Sequence, residues 1–243
     1  MAENDQERAE RAEEELARRD ELYALVLHDL RNPLNTIGMS CALLFDDLPA
    51  PQKETVNRIR RAVDRMEKLM RDVSEVVRLE YGNVRLDLLP LRVGDLVRQA
   101  LETHETKVAT KRITVDVGAI DEELKVEVDR DRFVRALSGL IDNAVKFTPE
   151  AGRIAIEIRV MNTGMVEFAI TDTGPGIPAD DRSSLFERHR KINNKRGQGL
   201  SLGLAIIALT IQRLGGTIGV DPPSASGGSR FWVRVKEVRR QTD

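Results

Sequence analysis

Two long stripes of apolar residues, separated by Pro49-Ala50-Pro51, limit most strongly how the N-terminal part of this chain can fold. In each stripe an apolar residue returns every three or four positions, which is the period of one face of an α-helix. The stripes comprise Tyr23, Val26, Leu30, Leu34, Ile37, Cys41, Leu44 and Leu48, followed by Val56, Ile59, Val63, Met66, Met70, Val73 and Val77. Proline cannot continue a helix interior. The sequence therefore predicts two helices in an antiparallel hairpin.

A lone hairpin with stripes this long leaves one apolar side in water. Pairing two hairpins into a four-helix bundle buries that side, so we expect a homodimer. The hairpin is predicted to occupy residues 22–82. Residues 1–21, rich in Glu, Arg and Ala, are predicted to form a charged helical lead-in.

The composition changes after Tyr81-Gly82-Asn83, which places a second domain at residues 83–243. Short β-type runs are predicted at 113–117, 124–128, 154–160, 166–171 and 231–235, and helices at 93–109, 130–147 and 202–214. This order of strands and helices indicates an α/β sandwich with helices on one face of a sheet.

Charge and cysteine content exclude several classes of protein as defaults. The 38 basic and 40 acidic residues give a net charge of −2, so there is no strong positive field for a nucleic acid. The single cysteine, Cys41, cannot form an intrachain disulfide, and no Cys/His spacing indicates a metal cage. The acidic start and the lack of a long apolar run predict a soluble, cytoplasmic chain without a membrane segment.

His28 falls on the polar face of the first predicted helix, roughly opposite the apolar stripe. An exposed imidazole can act as a nucleophile, and Asp29 beside it can orient the ring or accept a proton. The alternative is an ordinary surface histidine. Pro33 removes a helix hydrogen bond just after the histidine and invites a kink, which is unusual in a purely structural helix.

Two glycine-containing segments of the second domain are candidates for ligand binding. The run Asp172-Thr173-Gly174-Pro175-Gly176 ends a predicted strand, where a fixed aspartate can accept a hydrogen bond from an exocyclic amine such as that of adenine. Residues 197–204 run into a helix whose N–H groups suit phosphates. Taken alone, a Gly-x-Gly run is more often a turn than a ligand loop, and residues 197–204 are equally compatible with a flexible loop plus close helix packing.

The predicted 130–147 helix carries two further candidates near its end. Asn143 offers an oxygen that suits Mg²⁺, and Lys146 offers a charge for phosphate. The alternative for Lys146 is a cation that complements the helix dipole.

The run His28-Asp29-Leu30-Arg31-Asn32-Pro33-Leu34 resembles the phosphoacceptor box of two-component sensor histidine kinases. Residues 140–149, 172–177, 185–188 and 197–204 resemble, respectively, the N, G1, F and G2 boxes of the ATP-binding domain of that family. This domain has the fold shared with gyrase, Hsp90 and MutL-type ATPases. The resemblance extends from about residue 20 to residue 236.

The resemblance implies a dimeric kinase in which His28 accepts the γ-phosphoryl group of Mg·ATP, with Asp29 assisting its deprotonation. The group then passes to an aspartate of a response regulator receiver domain. Asn32 falls where a polar residue supports phosphatase activity in the family. The charged start is compatible with input from an upstream sensor domain or protein.

The resemblance also implies roles in nucleotide binding. Asn143 matches the Mg²⁺ ligand, Lys146 the phosphate-contacting lysine and Asp172 the aspartate that recognises adenine. The further nucleotide-binding positions are Gly174, Gly176, Arg188, Gly199, Gly203 and Leu204.

Three positions depart from the family pattern. Gly139 stands where a second asparagine is usual, Ser201 where a glycine is usual and His189 where an aromatic residue is usual. Gly139 and Ser201 motivate an alternative, a degenerate kinase that acts as a dimeric scaffold or regulator-binding module. A purely hydrolytic ATPase is weaker because it leaves His28 and the hairpin without a role.

Overall fold

The computed structural model describes residues 26–27, 29–46, 48–80, 84–187, 202–222 and 227–238. Contacts divide the chain into two compact units, Met1–Val84 and Arg85–Asp243. None of the helices in the described residues combines the length and apolar character that crossing a lipid bilayer requires.

The first unit is the predicted pair of helices. Helix α1 includes residues 29–45, and α2 spans Ala50–Glu80. Pro51 lies in the first turn of α2, where its missing N–H is tolerated. Leu34 of α1 and Val63 and Met70 of α2 form a buried cluster. The helical region predicted at this end of the chain is thus confirmed.

Each helix carries two apolar seams, which are lines of apolar side chains along its length. In a single hairpin, one seam of each helix is buried. Leu34 and Cys41 of α1 are buried, as are Val56, Val63 and Met70 of α2. Neighbouring members of each set are seven residues apart, the repeat of a helix–helix seam. A second set at the same spacing remains exposed, namely Leu30, Ile37 and Leu44 of α1 and Ile59 and Met66 of α2. Two fifths or more of each of these side chains is open to solvent.

The second unit is built on a five-stranded mixed sheet with the order β2-β4-β5-β7-β6. Its strands are β2 Thr114–Val117, β4 Arg153–Val160, β5 Met165–Asp172, β6 Thr217–Asp221 and β7 Arg230–Lys236. Strands β2 and β4 are parallel, and the other neighbouring strands are antiparallel. A separate antiparallel pair joins β1 Leu89–Arg92 to β3 Lys125–Val128.

The second unit has five helices among the described residues. They are α3 Val93–Glu102, α4 Glu105–Thr110, α5 Arg130–Phe147, α6 Ala179–Arg182 and α7 Gly203–Arg213. The core joins α3, α5 and α7 to one set of alternating strand residues, and the Phe133 and Phe168 rings meet edge to face at 5.0 Å. The predicted α/β sandwich is confirmed.

The structure differs from the sequence prediction at two helices and two strands, and the short helix α6 is one of them because it was not predicted. The single helix predicted at 93–109 breaks into α3 and α4, because the Thr103 hydroxyl bonds to the Ala100 carbonyl and the His104 ring turns inward. Strands β1 and β6 were not predicted, since Pro90 and Gly219 weaken the strand pattern. The Trp232 ring of β7 occupies the space where a side chain on residue 219 would lie.

The opposite face of the sheet carries a network of charged side chains centred on Glu167. Its carboxylate accepts hydrogen bonds from Arg230 and Arg234, each at 2.8 Å, and Arg230 also pairs with Asp221. Burial alone raises the pKa of Glu167, but the hydrogen bonds from the two arginines outweigh it and leave the pKa below its ordinary value. The carboxylate therefore stabilises this sheet in its ionised form.

We predict that Glu167→Gln lowers the free energy of unfolding of the second unit by about 1–3 kcal/mol, because the substitution removes charged hydrogen bonds. Unfolding in urea, followed by Trp232 fluorescence, measures the difference. Since the folded-state pKa is depressed, the contribution is complete above the ordinary value of 4.5 and is lost as the pH falls through the folded-state pKa. The difference in the free energy of unfolding between the wild type and Glu167→Gln should therefore disappear in acid.

Glu157→Gln is the matched control on the same face of the sheet. Glu157 pairs with Arg159 at 2.9 Å, but the side chains are 44% and 64% exposed, so this ion pair contributes little. Equal losses in the two variants, or a Glu167→Gln deficit that persists in acid, would contradict the assignment.

Candidate functional site

The last turn of α5 presents the predicted polar pair. Asp129 caps the start of the helix by accepting from Arg132 N at 3.2 Å. Asn143 is half-buried and Lys146 is exposed. They are three residues apart and therefore share one flank of the helix, while Leu140, Ile141 and their buried neighbours face the core.

Asp172 is the last residue of β5, and only 4% of its surface is exposed. Its Oδ1 accepts a hydrogen bond from Gly174 N at 2.7 Å. Burial raises the pKa of this carboxyl, while hydrogen bonds from Gly174 and Ser229 oppose the rise. Because an ionised carboxylate has about four acceptor sites, Asp172 has capacity left to accept from an amine of a ligand.

Gly174 joins the end of β5 to the end of α5. A Cβ on this residue would lie 2.7 Å from Asp172 Oδ1 and 2.9 Å from the Phe147 carbonyl oxygen. Only glycine allows the strand end and the helix end to approach this closely. The structure therefore brings Asp172 and Gly174 against the last turn of α5, which carries Asn143 and Lys146.

Gly176 lies on the other side of the same turn and needs glycine for a different reason. Its φ is +74°, and a Cβ would meet the Gly228 carbonyl oxygen at 3.0 Å. Gly228, with φ +81°, packs directly against the Asp172 backbone, and Ser229 O accepts from Asp172 N at 2.9 Å. Gly227, Gly228 and Ser229 were not predicted from the sequence, although the glycine pair just before a strand was a signal for them.

Gly139 lies one turn before Asn143 and packs against α7. A Cβ there would lie 2.8 Å from Ile207 Cδ1, and Ile207 is buried. A side chain at this position would require the end of the Ile207 side chain to shift. The glycine at residue 139, which departs from the family pattern, therefore lets α5 pack closely on α7.

Gly203 and Leu204 begin α7 as the first two residues of the helix. Both are half-buried, and Leu204 packs against the core. Arg188, Gly199, Ser201 and His189 lie outside the described residues.

The predicted acceptor face of α1 is described in part, because His28 lies outside the described residues. Asp29 and Asn32 are helical and exposed, and α1 continues through Pro33. The Thr36 hydroxyl donates to the Asn32 carbonyl oxygen at 3.1 Å.

A second polar group on α5 was not predicted from the sequence. His104 Nε2 is 2.9 Å from Ser138 Oγ, and Asp142 Oδ1 accepts from Lys107 Nζ at 2.6 Å. Burial lowers the pKa of His104, and the nearby Asp142 carboxylate opposes that effect. This cluster lies on the flank of α5 away from Asn143, and its contact between the buried His104 ring and Ser138 holds the α3–α4 turn against the helix.

Comparisons with known proteins find two family domains in this chain. Residues 128–239 match the family described as Histidine kinase-, DNA gyrase B-, and HSP90-like ATPase, and residues 18–82 match the His Kinase A (phospho-acceptor) domain.

Similar proteins include the adaptive-response sensory kinase SasA of Synechocystis sp., with 27% identity over 87% of this chain and 57% of the relative. The sensor protein GacS of Pseudomonas syringae pv. syringae is 28% identical over 93% of this chain and 26% of its own length. This chain thus spans little more than half of SasA and about a quarter of GacS.

A crystal structure of full-length ShkA in complex with AMPPNP superposes with a TM-score of 0.75 and 30% identity, covering 90% of this chain and 46% of that one. With the phosphoacceptor and ATPase domains matched in this order, the chain belongs to the two-component sensor histidine kinases.

Proposed function

We propose that this chain is the catalytic core of a sensor histidine kinase that phosphorylates His28 from Mg·ATP. The observation that carries the proposal is the junction at Gly174, which holds the buried Asp172 carboxylate against the last turn of α5. In the proposed organisation, residues 1–21 are a lead-in, 22–82 a phosphotransfer hairpin and 83–243 an ATP-binding domain. We place this core in the cytoplasm, with input from an upstream sensor domain or protein.

The junction suits a nucleotide with its base at one side and its phosphates at the other. Asp172 accepts a hydrogen bond from the exocyclic amine of adenine, while Gly174 and Gly176 let the backbone pack closely around the aspartate and hold it in place. Lys146 supplies positive charge to the phosphates. We assign Arg188, Gly199, Gly203 and Leu204 to the phosphate side, as the family resemblance implies.

The donor set around Asn143 fits a magnesium ion that is held mainly by substrate and water. The Asn143 amide oxygen is a hard ligand, Gly139 adds none, and no cluster of three or more His, Cys, Asp or Glu among the described residues could cage a metal. Mg²⁺ commonly binds through one or two protein ligands, nucleotide phosphates and waters. When bound, it would neutralise phosphate charge during transfer.

The transfer itself forms a bond between a ring nitrogen of His28 and the γ-phosphorus of ATP. The bond from that phosphorus to the bridging oxygen breaks, and ADP leaves. Asp29, the next residue along the helix, assists removal of the ring proton. In a second transfer, the phosphoryl group passes from His28 to an aspartate of a receiver domain. Asn32 supports the phosphatase activity that removes it from that partner.

The exposed seam of the hairpin supports a homodimer. Leu30, Ile37 and Leu44 continue an apolar line along α1, and Ile59 and Met66 continue one along α2. A second hairpin presents the same seam and can cover it, which gives a four-helix bundle.

We predict that purified protein incubated with γ-labelled ATP and Mg²⁺ gains label that is labile in acid and stable in alkali, as a phosphoramidate is. His28→Ala should abolish the label, and Asn143→Ala should reduce it strongly because phosphate positioning is lost. Asn35→Ala is the matched control, since it removes a polar side chain from the same helix face and should leave the label unchanged.

Label that persists in His28→Ala would contradict the acceptor assignment. Absence of label in a wild-type chain that is folded, dimeric and able to bind a receiver domain would instead support the scaffold alternative.

We predict that Ile37→Glu weakens dimerisation at least 100-fold. One buried isoleucine is worth about 1.5–3 kcal/mol, and the change occurs twice in a symmetric pair. Light scattering across a dilution series measures the change. Met39→Glu is the control, because Met39 is 68% exposed and lies on the opposite side of α1. Equal weakening by the two substitutions would contradict this choice of interface.

A further inference from the structure

The C-terminal end of α5 is held by one lysine from another part of the chain. Lys111 lies between α4 and β2, and its Nζ donates to the carbonyl oxygens of Val145 at 2.7 Å, Lys146 at 3.1 Å and Thr148 at 2.7 Å. An ammonium group has three donors, so these three carbonyls match its full capacity.

Helix ends explain why a cation is stable here. The last carbonyls of a helix lack intrahelical partners and carry the negative end of the helix dipole. Thr148 ends α5 by donating both its backbone N–H and its hydroxyl to the Ala144 carbonyl. The Lys111 ammonium satisfies carbonyls that remain in the last turn, through hydrogen bonds strengthened by its charge.

The backbone around Lys111 is fixed against the turn that follows α5. Lys111 O accepts from Ala151 N at 2.9 Å, and Arg112 pairs with Glu150 at 3.1 Å. Arg112 and Ala151 both have positive φ, at 53° and 57°. Such backbone angles are uncommon outside glycine and persist where the surrounding structure holds them. The lysine is therefore presented from a constrained turn.

We infer that Lys111 is a positioning residue that sets the distance between the phosphate side and the adenine side of the nucleotide site. Lys111 bonds to the carbonyls of Val145 and Lys146, so it fixes the turn that carries Asn143. The next carbonyl, that of Phe147, lies against Gly174 beside Asp172. This inference rests on the proposed nucleotide binding.

A second lysine on the same side of α5 does not provide this anchor. Lys107 pairs with Asp142 at 2.6 Å, but the two side chains are 62% and 44% exposed. An ion pair so open to solvent contributes little. It also joins α4 to a side chain of α5 and not to the carbonyls of the last turn. Lys107→Met is therefore the matched control for Lys111→Met.

The test compares binding of Mg·ATP with binding of adenosine by calorimetry. Adenosine has the base that Asp172 recognises but no phosphates. We expect Lys111→Met to weaken Mg·ATP binding by about tenfold and to leave adenosine binding within about twofold, because only the phosphate side loses its position. Lys111→Arg, which keeps the charge and several donors, should restore most of the Mg·ATP affinity, and Lys107→Met should match the wild type.

Wild-type affinity for Mg·ATP in Lys111→Met would overturn the inference. Equal losses of affinity for Mg·ATP and adenosine in Lys111→Met would also overturn it, as would a loss of Mg·ATP affinity that Lys111→Arg does not restore. Both results are expected if Lys111 only stabilises the fold. If Lys111→Met does not fold, as judged by Trp232 fluorescence, Lys111→Gln supplies the same comparison with a neutral donor. A wild-type chain that binds no nucleotide would instead refute the proposed function.

Discussion

The close contact between Gly174 and the Phe147 carbonyl is the constraint on which the candidate site depends. It lets the end of β5 meet the end of α5, and so brings a buried carboxylate beside the turn that carries an amide and an ammonium group. A side chain at residue 174 would separate these elements. Gly176 and Gly228 continue the same close packing behind Asp172, so the backbone leaves little freedom for the aspartate to move.

The periodic signals in the sequence predicted the framework well. The bounds of α5 agree because Asp129 caps its start, apolar residues repeat along one face, and Pro149 follows its end. The break between α3 and α4 could not be predicted in the same way, since it depends on a tertiary contact of His104 with Ser138. The role of Gly219 likewise depends on a Trp232 ring that is distant in the sequence.

The candidate site was predictable where its residues are adjacent in the sequence. Asp172, Gly174 and Gly176 form a contiguous run, whereas Gly228 and Lys111 reach the site only through the fold. Gly139 shows the opposite case. Its departure from the family pattern suggested a lost ligand, while the structure shows a packing reason, the close approach of Ile207.

The most direct test of this account is the affinity of the wild-type chain for ADP compared with IDP, which lacks the exocyclic amine of adenine. If Asp172 accepts from that amine, ADP should bind about 10- to 100-fold more tightly, as expected for a hydrogen bond to a charged group. The preference should disappear in Asp172→Ala. Equal affinities in the wild type would contradict the assignment of Asp172 and, with it, the proposed orientation of the nucleotide.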